Sequence, residues 1–236
     1  MPQPFIHLRG RSAYSLLESA LHVGDLAKQC VGHDMPAMAL TDHNNLFGAL
    51  EFSEKFSDSG VQPIVGLTLD LKGDAKGQIV LLSQTEAGYA NLMRLSSAAF
   101  LEVEPSEEAH VSLERTLSHG EGLIALSGGG EGVLAELLQQ GKIEAAEALA
   151  MTIARGFPNR FYIELHRHGI AIEHDTEEAL INLAYKLGLP LVAANDIRFK
   201  ARKDYRAHDA LMCIAASSYR IARASRQNII SRAAQK

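Results

Sequence analysis

The stretch "IHLRGRSAYSLLES" sets His7, Arg9 and Arg11 at every second position, so an extended segment would carry all three on one face. An imidazole followed by hydroxyls and Glu18 outlines a strand-borne metal site. The two arginines contradict that outline, because a guanidinium stays protonated and offers donors only. Three further stretches end in groups of the same kinds. "AMALTDHNN" delivers Asp42 and His43, "FYIELHRHG" delivers Glu164, His166 and His168, and "LVAANDIRF" delivers Asn195, Asp196 and Arg198. Acids and imidazoles at several strand ends suit a cluster of divalent metals with mixed nitrogen and oxygen ligands. Each group also fits a plain structural role: "ELHRH" as a solvent-facing strand, "TDH" as a strand end. "SGGGEG" reads as a tight turn, since it lacks the lysine of a phosphate-binding loop.

The elements that must position these groups alternate short apolar runs with helical patterns, the mark of βα units around a parallel sheet. Seven strands are expected: "FIHLR", "AMALT", "PIVGLTLDL", "QIVLLS", "GLIALS", "RFYIEL" and "PLVAAN". Helical spacing runs through "VGDLAKQCVGHD", "NLFGALEFSEKFSDSG", "EAGYANLMRLSSAAF", "GVLAELLQQGKIEAAEALAMTIARG" and "DTEEALINLAYKLG", the last with Asp175 as its expected N-cap and Gly188 at its end. In such folds reactive residues gather at the C-terminal ends of the strands. The acidic segment "LEVEPSEEAH" reads as a surface loop.

With 236 residues, 47% of them hydrophobic, the chain can bury a sizeable core. A net charge of −5 and 22% charged residues mark neither a disordered chain nor a nucleic-acid binder. Cys30 and Cys213 lack metal or redox spacing, which points to a reducing, cytoplasmic setting. No apolar run has membrane-spanning length. The end differs from the rest: from Tyr219 to Lys236 it holds five Lys or Arg and no acid.

Taken in order, "IHLRGRSAYSLLESA", "MPAMALTDHNNLFGALEFSEKF", "VQPIVGL", "GYANLMRLSS", "GLIALSGGGEG", "FYIELHRHG" and "PLVAANDIRFKARKDYRAHDALMCI" resemble the PHP (polymerase and histidinol phosphatase) family, specifically the N-terminal domain of bacterial replicative DNA polymerase III alpha subunits. The resemblance spans residues 7–214, so a PHP domain over 1–214 is expected. Residues 215–236 form a divergent basic tail, read as a truncated or frame-disrupted end. The family implies an α/β fold, a distorted (β/α)7 barrel. Members with intact ligands hold three Zn or Mn ions on nine ligands and carry phosphoesterase or 3′–5′ exonuclease chemistry.

Carried over by position, that ligand set is mostly lost. Glu18, His43 and Asp196 stand at residual ligand positions. Arg9, Arg11, Thr68, Gln78, Gly129 and Arg198 stand where the family has ligands. The expectation is a degenerate site without cofactor, in which Arg9, Arg11 and Arg198 pair with Glu18, Asp42 and Asp196. Drift on an unselected surface, or one weak metal on Glu18, His43 and Asp196, are the alternatives. The resemblance further implies a structural role in DNA replication beside the polymerase core, whose palm lies outside these residues. Its expected partners are the rest of the polymerase chain and the proofreading exonuclease subunit, with DNA met indirectly. The competing function is a stand-alone metal-dependent phosphoesterase or exonuclease; whether the chain is an enzyme by itself stays open at this level.

Overall fold

A computed structural model describes residues 5–216. The basic tail from Ser217 onward lies outside the described residues. The first part runs α1 (Val23–Gly32), β1 (Ala37–Leu40), α2 (Ala49–Asp58), β2 (Gln62–Leu71), β3 (Gly77–Ser83), α3 (Glu86–Leu101), α4 (Leu113–Ser118) and β4 (Leu123–Leu126). The second runs α5 (Ala135–Gln139), α6 (Ile143–Gly156), β5 (Phe161–Leu165), α7 (Ala171–Leu187), β6 (Leu191–Ala193) and α8 (Tyr205–Ala215). The six strands form one sheet in chain order.

The sheet is not wholly parallel. β1 and β2 pair parallel, as do β4 with β5 and β5 with β6, but β3 runs antiparallel to both neighbours. Only residues 72–76 join β2 to β3. That is too short for a parallel crossover, so the chain must turn back on itself. The reversal brings the start of β3, including Gln78, to the same end of the sheet as the C-terminal ends of the other strands.

The expected first strand is a pair of isolated bridges instead. His7 bridges Met38 on β1, and Gly10 bridges Ile197 just beyond β6. The amides of Ala39 and Thr41 donate to the carbonyls of His7 and Gly10 (2.7 and 2.8 Å). On the other side Ile197 donates to Arg9 (3.2 Å) and Arg11 donates to Ile197 (3.0 Å). Residues 7–11 therefore act as the seventh stave, joining the two edges of the sheet into a distorted ring.

Apolar layers hold the ring in place. The main core packs Leu67, Leu69, Ile79 and Leu81 of β2 and β3 against Leu92 and Leu95 of α3 and Ile153 of α6, all close to fully buried. A second core joins α1, α2 and β1 through Leu26, Phe52, Phe56 and Met38. Two helical expectations are corrected. Asp175 lies inside α7, which begins four residues earlier at Ala171. The long pattern over 132–156 splits into α5 and α6 at Gly141, whose φ of +71° a helix cannot accept. Gly188 closes α7 in the left-handed conformation, as its position predicts. Cys30 and Cys213 are buried free thiols. Among the described residues no helix is long and apolar enough to cross a membrane.

Candidate functional site

The residues singled out in the sequence meet where the stave, the strand ends and the start of β3 converge. Arg9 and Arg11 are each only 1% exposed, an unusual depth for two guanidiniums side by side. Gln78 Oε1 accepts from both, at 2.6 Å from Arg9 Nη2 and 3.0 Å from Arg11 Nη2. Arg9 Nη1 also donates to the Gly128 carbonyl (3.0 Å) and lies 3.8 Å from Glu164 Oε2. Arg11 Nη1 donates to Glu18. Both arginines turn their Nε toward Asp196 Oδ1, at 3.7 Å for Arg9 and 3.2 Å for Arg11. Arg198 donates to Asp196 Oδ2 through Nε at 2.8 Å and again through Nη2, which also reaches Glu131 Oε2 at 3.1 Å. One carboxylate thus faces three guanidiniums. Burial opposes the charge of Asp196, but Arg9, Arg11 and Arg198 outweigh it and hold its carboxyl far below the usual range.

A second charged group lies beside the first. His43 Nδ1 is hydrogen-bonded to Glu18, and its Nε2 lies 2.8 Å from Asp70 Oδ2. Burial alone would depress the imidazole; hydrogen bonds to Asp70 and Glu18 reverse this and raise it to about 9. Glu18 is likewise opposed by burial, and the His43 bond and the Arg11 charge bring it down to about 2. At neutral pH His43 is therefore an imidazolium clamped between two carboxylates. Asp70 escapes the sequence reading. Its signal is visible in "GLTLDL", where a carboxylate stands two residues after Thr68 on the same face of β2. Glu131, in the turn after β4, was missed for lack of any pattern.

Asp42 corrects an expectation. It accepts hydrogen bonds from Ser12 N (2.7 Å), Ser12 Oγ (2.7 Å) and Ser15 Oγ (2.6 Å), and no arginine lies within ion-pair distance of it among the described residues. It is 2% exposed, and burial pushes its carboxyl up despite those donors. Its role is to pin the 12–15 turn that carries the chain from the stave to Glu18. Replacing Asp42 with Ala strands three buried donors and is expected to cost about 2–4 kcal/mol, read as a shift in the urea midpoint.

The remaining positions serve the backbone or other partners. Thr68 is buried and donates to the Thr41 carbonyl (2.9 Å). Gly129 has φ +60°, and a Cβ there would come within 2.5 Å of His166 Nδ1, so the imidazole fills the space a side chain would need. His166 Nε2 lies 2.8 Å from Glu164 Oε1, and Glu164 Oε2 accepts from the Gly128 amide (3.0 Å). His168 Nδ1 pairs with Glu173 Oε1 at 2.6 Å. Asn195 stands between β6 and Asp196 without a contact among the described residues that explains it.

A distorted seven-stave α/β barrel with histidines, acids and arginines at one mouth defines the class, and comparison with known proteins defines the family. Residues 7–168 match the PHP domain, and this chain belongs to that family. It is 43% identical over 226 residues to DNA polymerase III subunit alpha of Caulobacter vibrioides, covering 92% of this chain and 20% of that protein. It is 40% identical over 225 residues to an error-prone DNA polymerase of Symbiobacterium thermophilum, covering 89% of this chain and 21% of the relative. The chain therefore spans about a fifth of the length of these relatives and is similar to the N-terminal region of the alpha subunit. Among solved structures, an amidohydrolase from Chromobacterium violaceum shares the fold with a TM-score of 0.55 at 16% identity, over 87% of this chain and 96% of that one.

Proposed function

We propose that this chain is a structural, non-catalytic PHP domain of a DNA polymerase III alpha-type replicase, in which guanidinium–carboxylate pairs stand in place of the family's metal cluster. The observation that carries the reading is the convergence of buried Arg9 and Arg11 with Arg198 on Asp196. The donor set does not fit three divalent ions. Three of the family's ligand positions hold permanent cations that offer no lone pair, and Thr68 and Gly129 are committed to backbone packing. The residual trio is also divided, since Glu18 and His43 bond to each other while Asp196 is taken up by the arginines. The pairs replace ions electrostatically: alternating charges tie the stave, β2 and the segment after β6 into one mouth, and the Gln78 amide joins β3 to it.

In this reading the domain supports the rest of a polymerase chain and the docking of its proofreading exonuclease subunit in the cytoplasm, and meets DNA only indirectly. Polymerase chemistry belongs to other parts of such a chain. The competing reading is a metal-dependent phosphoesterase or exonuclease. The metal-stripped chain is therefore to be assayed on a phosphomonoester and on a 3′-ended oligonucleotide, with added Mn²⁺ or Zn²⁺. The expected result is no turnover above that of His43→Ala. Metal-dependent turnover abolished by that substitution overturns the proposal.

A further inference from the structure

Outside the arginine-filled mouth, the turn between β5 and α7 gathers a second set of ligating groups. His166, His168 and Glu173 each offer a ligand atom, and the three atoms lie within 4.8 Å of one another. We infer that these side chains form a mononuclear site for a divalent ion of the zinc class, distinct from the family-type positions and independent of the function proposed above. The donor types come first: two imidazoles and one carboxylate, with a position left for water, is the set that suits Zn²⁺ and its analogues.

The second argument is orientation. A ligating histidine ordinarily gives its other ring N–H to a carboxylate, which fixes the tautomer and strengthens the lone pair. His166 does so: with Nε2 donating to Glu164 Oε1 at 2.8 Å, its Nδ1 keeps the lone pair. His168 differs: its Nδ1 faces the ligand oxygen Glu173 Oε1 directly at 2.6 Å, so the proton these two share stands in the place of the ion. The rings stand edge to face with centroids 5.2 Å apart. Glu173 is itself anchored, its Oε2 accepting from the amides of His168 (2.7 Å) and Gly169 (3.2 Å). Gly129 supplies no ligand, but its missing Cβ leaves room for the His166 ring.

The third argument is fit. Metal–ligand bonds of about 2.0–2.2 Å put ligand atoms of a tetrahedral site about 3.3–3.6 Å apart, so the widest pair must close by roughly an ångström while His168 Nδ1 and Glu173 Oε1 part slightly. His168 is 37% exposed at the side chain and free to make that movement, while His166 and Glu173 are buried and fixed. Charge permits it. The cations facing the group are Arg198, near His168, and Arg9, which Glu164 already pairs; Glu173, Glu164 and Asp196 oppose them. Glu164 thus links the ion's ligand His166 to Arg9 of the mouth. The competing role for Glu173 is to tie down the turn before α7 with no ion involved.

The test is Co²⁺ titration of the metal-stripped chain, followed by visible absorption of the low-coordinate ion and by displacement with Zn²⁺. One equivalent is expected per chain. His168→Ala, at the exposed ligand, should weaken binding at least about tenfold while leaving the circular dichroism spectrum intact. Zn K-edge absorption of the loaded chain should show two imidazoles. The inference is overturned if Co²⁺ binds no more tightly than to a histidine-free surface control. It is equally overturned if His168→Ala binds as well as the parent, or if the edge spectrum shows one imidazole or none.

Discussion

Replacing Asp196 with Asn is expected to be among the most damaging single changes in this chain, at about 3–5 kcal/mol. The physical reason is the asymmetry of buried ion pairs. Forming one contributes little net stability, but removing one partner leaves the other charge buried without compensation. Asp196 is the shared partner of Arg9 and Arg11, each 1% exposed, and it also holds Arg198. Its Oδ1 and the two Nε groups that face it lack well-aligned hydrogen bonds, so charge rather than directional bonding carries those two contacts. Asn keeps the shape and removes the charge. Arg198→Gln is the contrast: its side chain is 18% exposed, so losing it should cost only about 1 kcal/mol. Urea unfolding of the parent and both variants measures this. An Asp196→Asn penalty below about 1 kcal/mol would show that the arginines are satisfied elsewhere. Added salt should change the penalty little, because the pairs are shielded from mobile ions.

The second large effect is a narrow pH optimum of stability, set by Glu18 and His43. Glu18 falls from 4.5 to about 2 in the folded chain. Its folded pKa is depressed, so its contribution is fully present above about pH 4.5 and is lost as pH falls toward 2. His43 rises from 6.5 to about 9. Its folded pKa is raised, so its contribution is fully present below about pH 6.5 and is lost as pH climbs toward 9. Each shift corresponds to the order of 3 kcal/mol, and because the two groups share one hydrogen bond the contributions are not additive. The expected profile is a plateau between about pH 4.5 and 6.5 with a slope on either side. His43→Asn should flatten the alkaline slope. A parent whose stability stays constant from pH 6.5 to 9 contradicts the imidazolium clamp.

Much of the site can be read from residue order, because strand ends in an α/β ring must converge. Arg9, Arg11, Asp196 and Arg198 sit on segments whose positions follow from the alternation of apolar runs, and the fold brings those segments together. What escapes the sequence is local. Asp42 looks like a mouth carboxylate because it ends a strand, yet the hydroxyls of Ser12 and Ser15 reach it first. Asp70 hides inside an apolar strand, where one acid in an alternating run reads as a solvent-facing residue. The reversal of β3 is legible in principle, since no helical stretch separates "PIVGLTLDL" from "QIVLLS" and five residues cannot make a crossover. The stave at residues 7–11 resembles a strand by composition, but it meets each edge through a single bridge, His7 to Met38 and Gly10 to Ile197.

The central claim is that charge pairs, not ions, hold the barrel mouth. The most direct measurement is anomalous diffraction from crystals of the chain grown in excess Mn²⁺ and, separately, Zn²⁺. The account predicts no anomalous peak within ligand distance of Glu18, His43 or Asp196, with the guanidiniums of Arg9, Arg11 and Arg198 packed around the Asp196 carboxylate. A peak bonded to His43 or Asp196, with any of those arginines swung away, contradicts it.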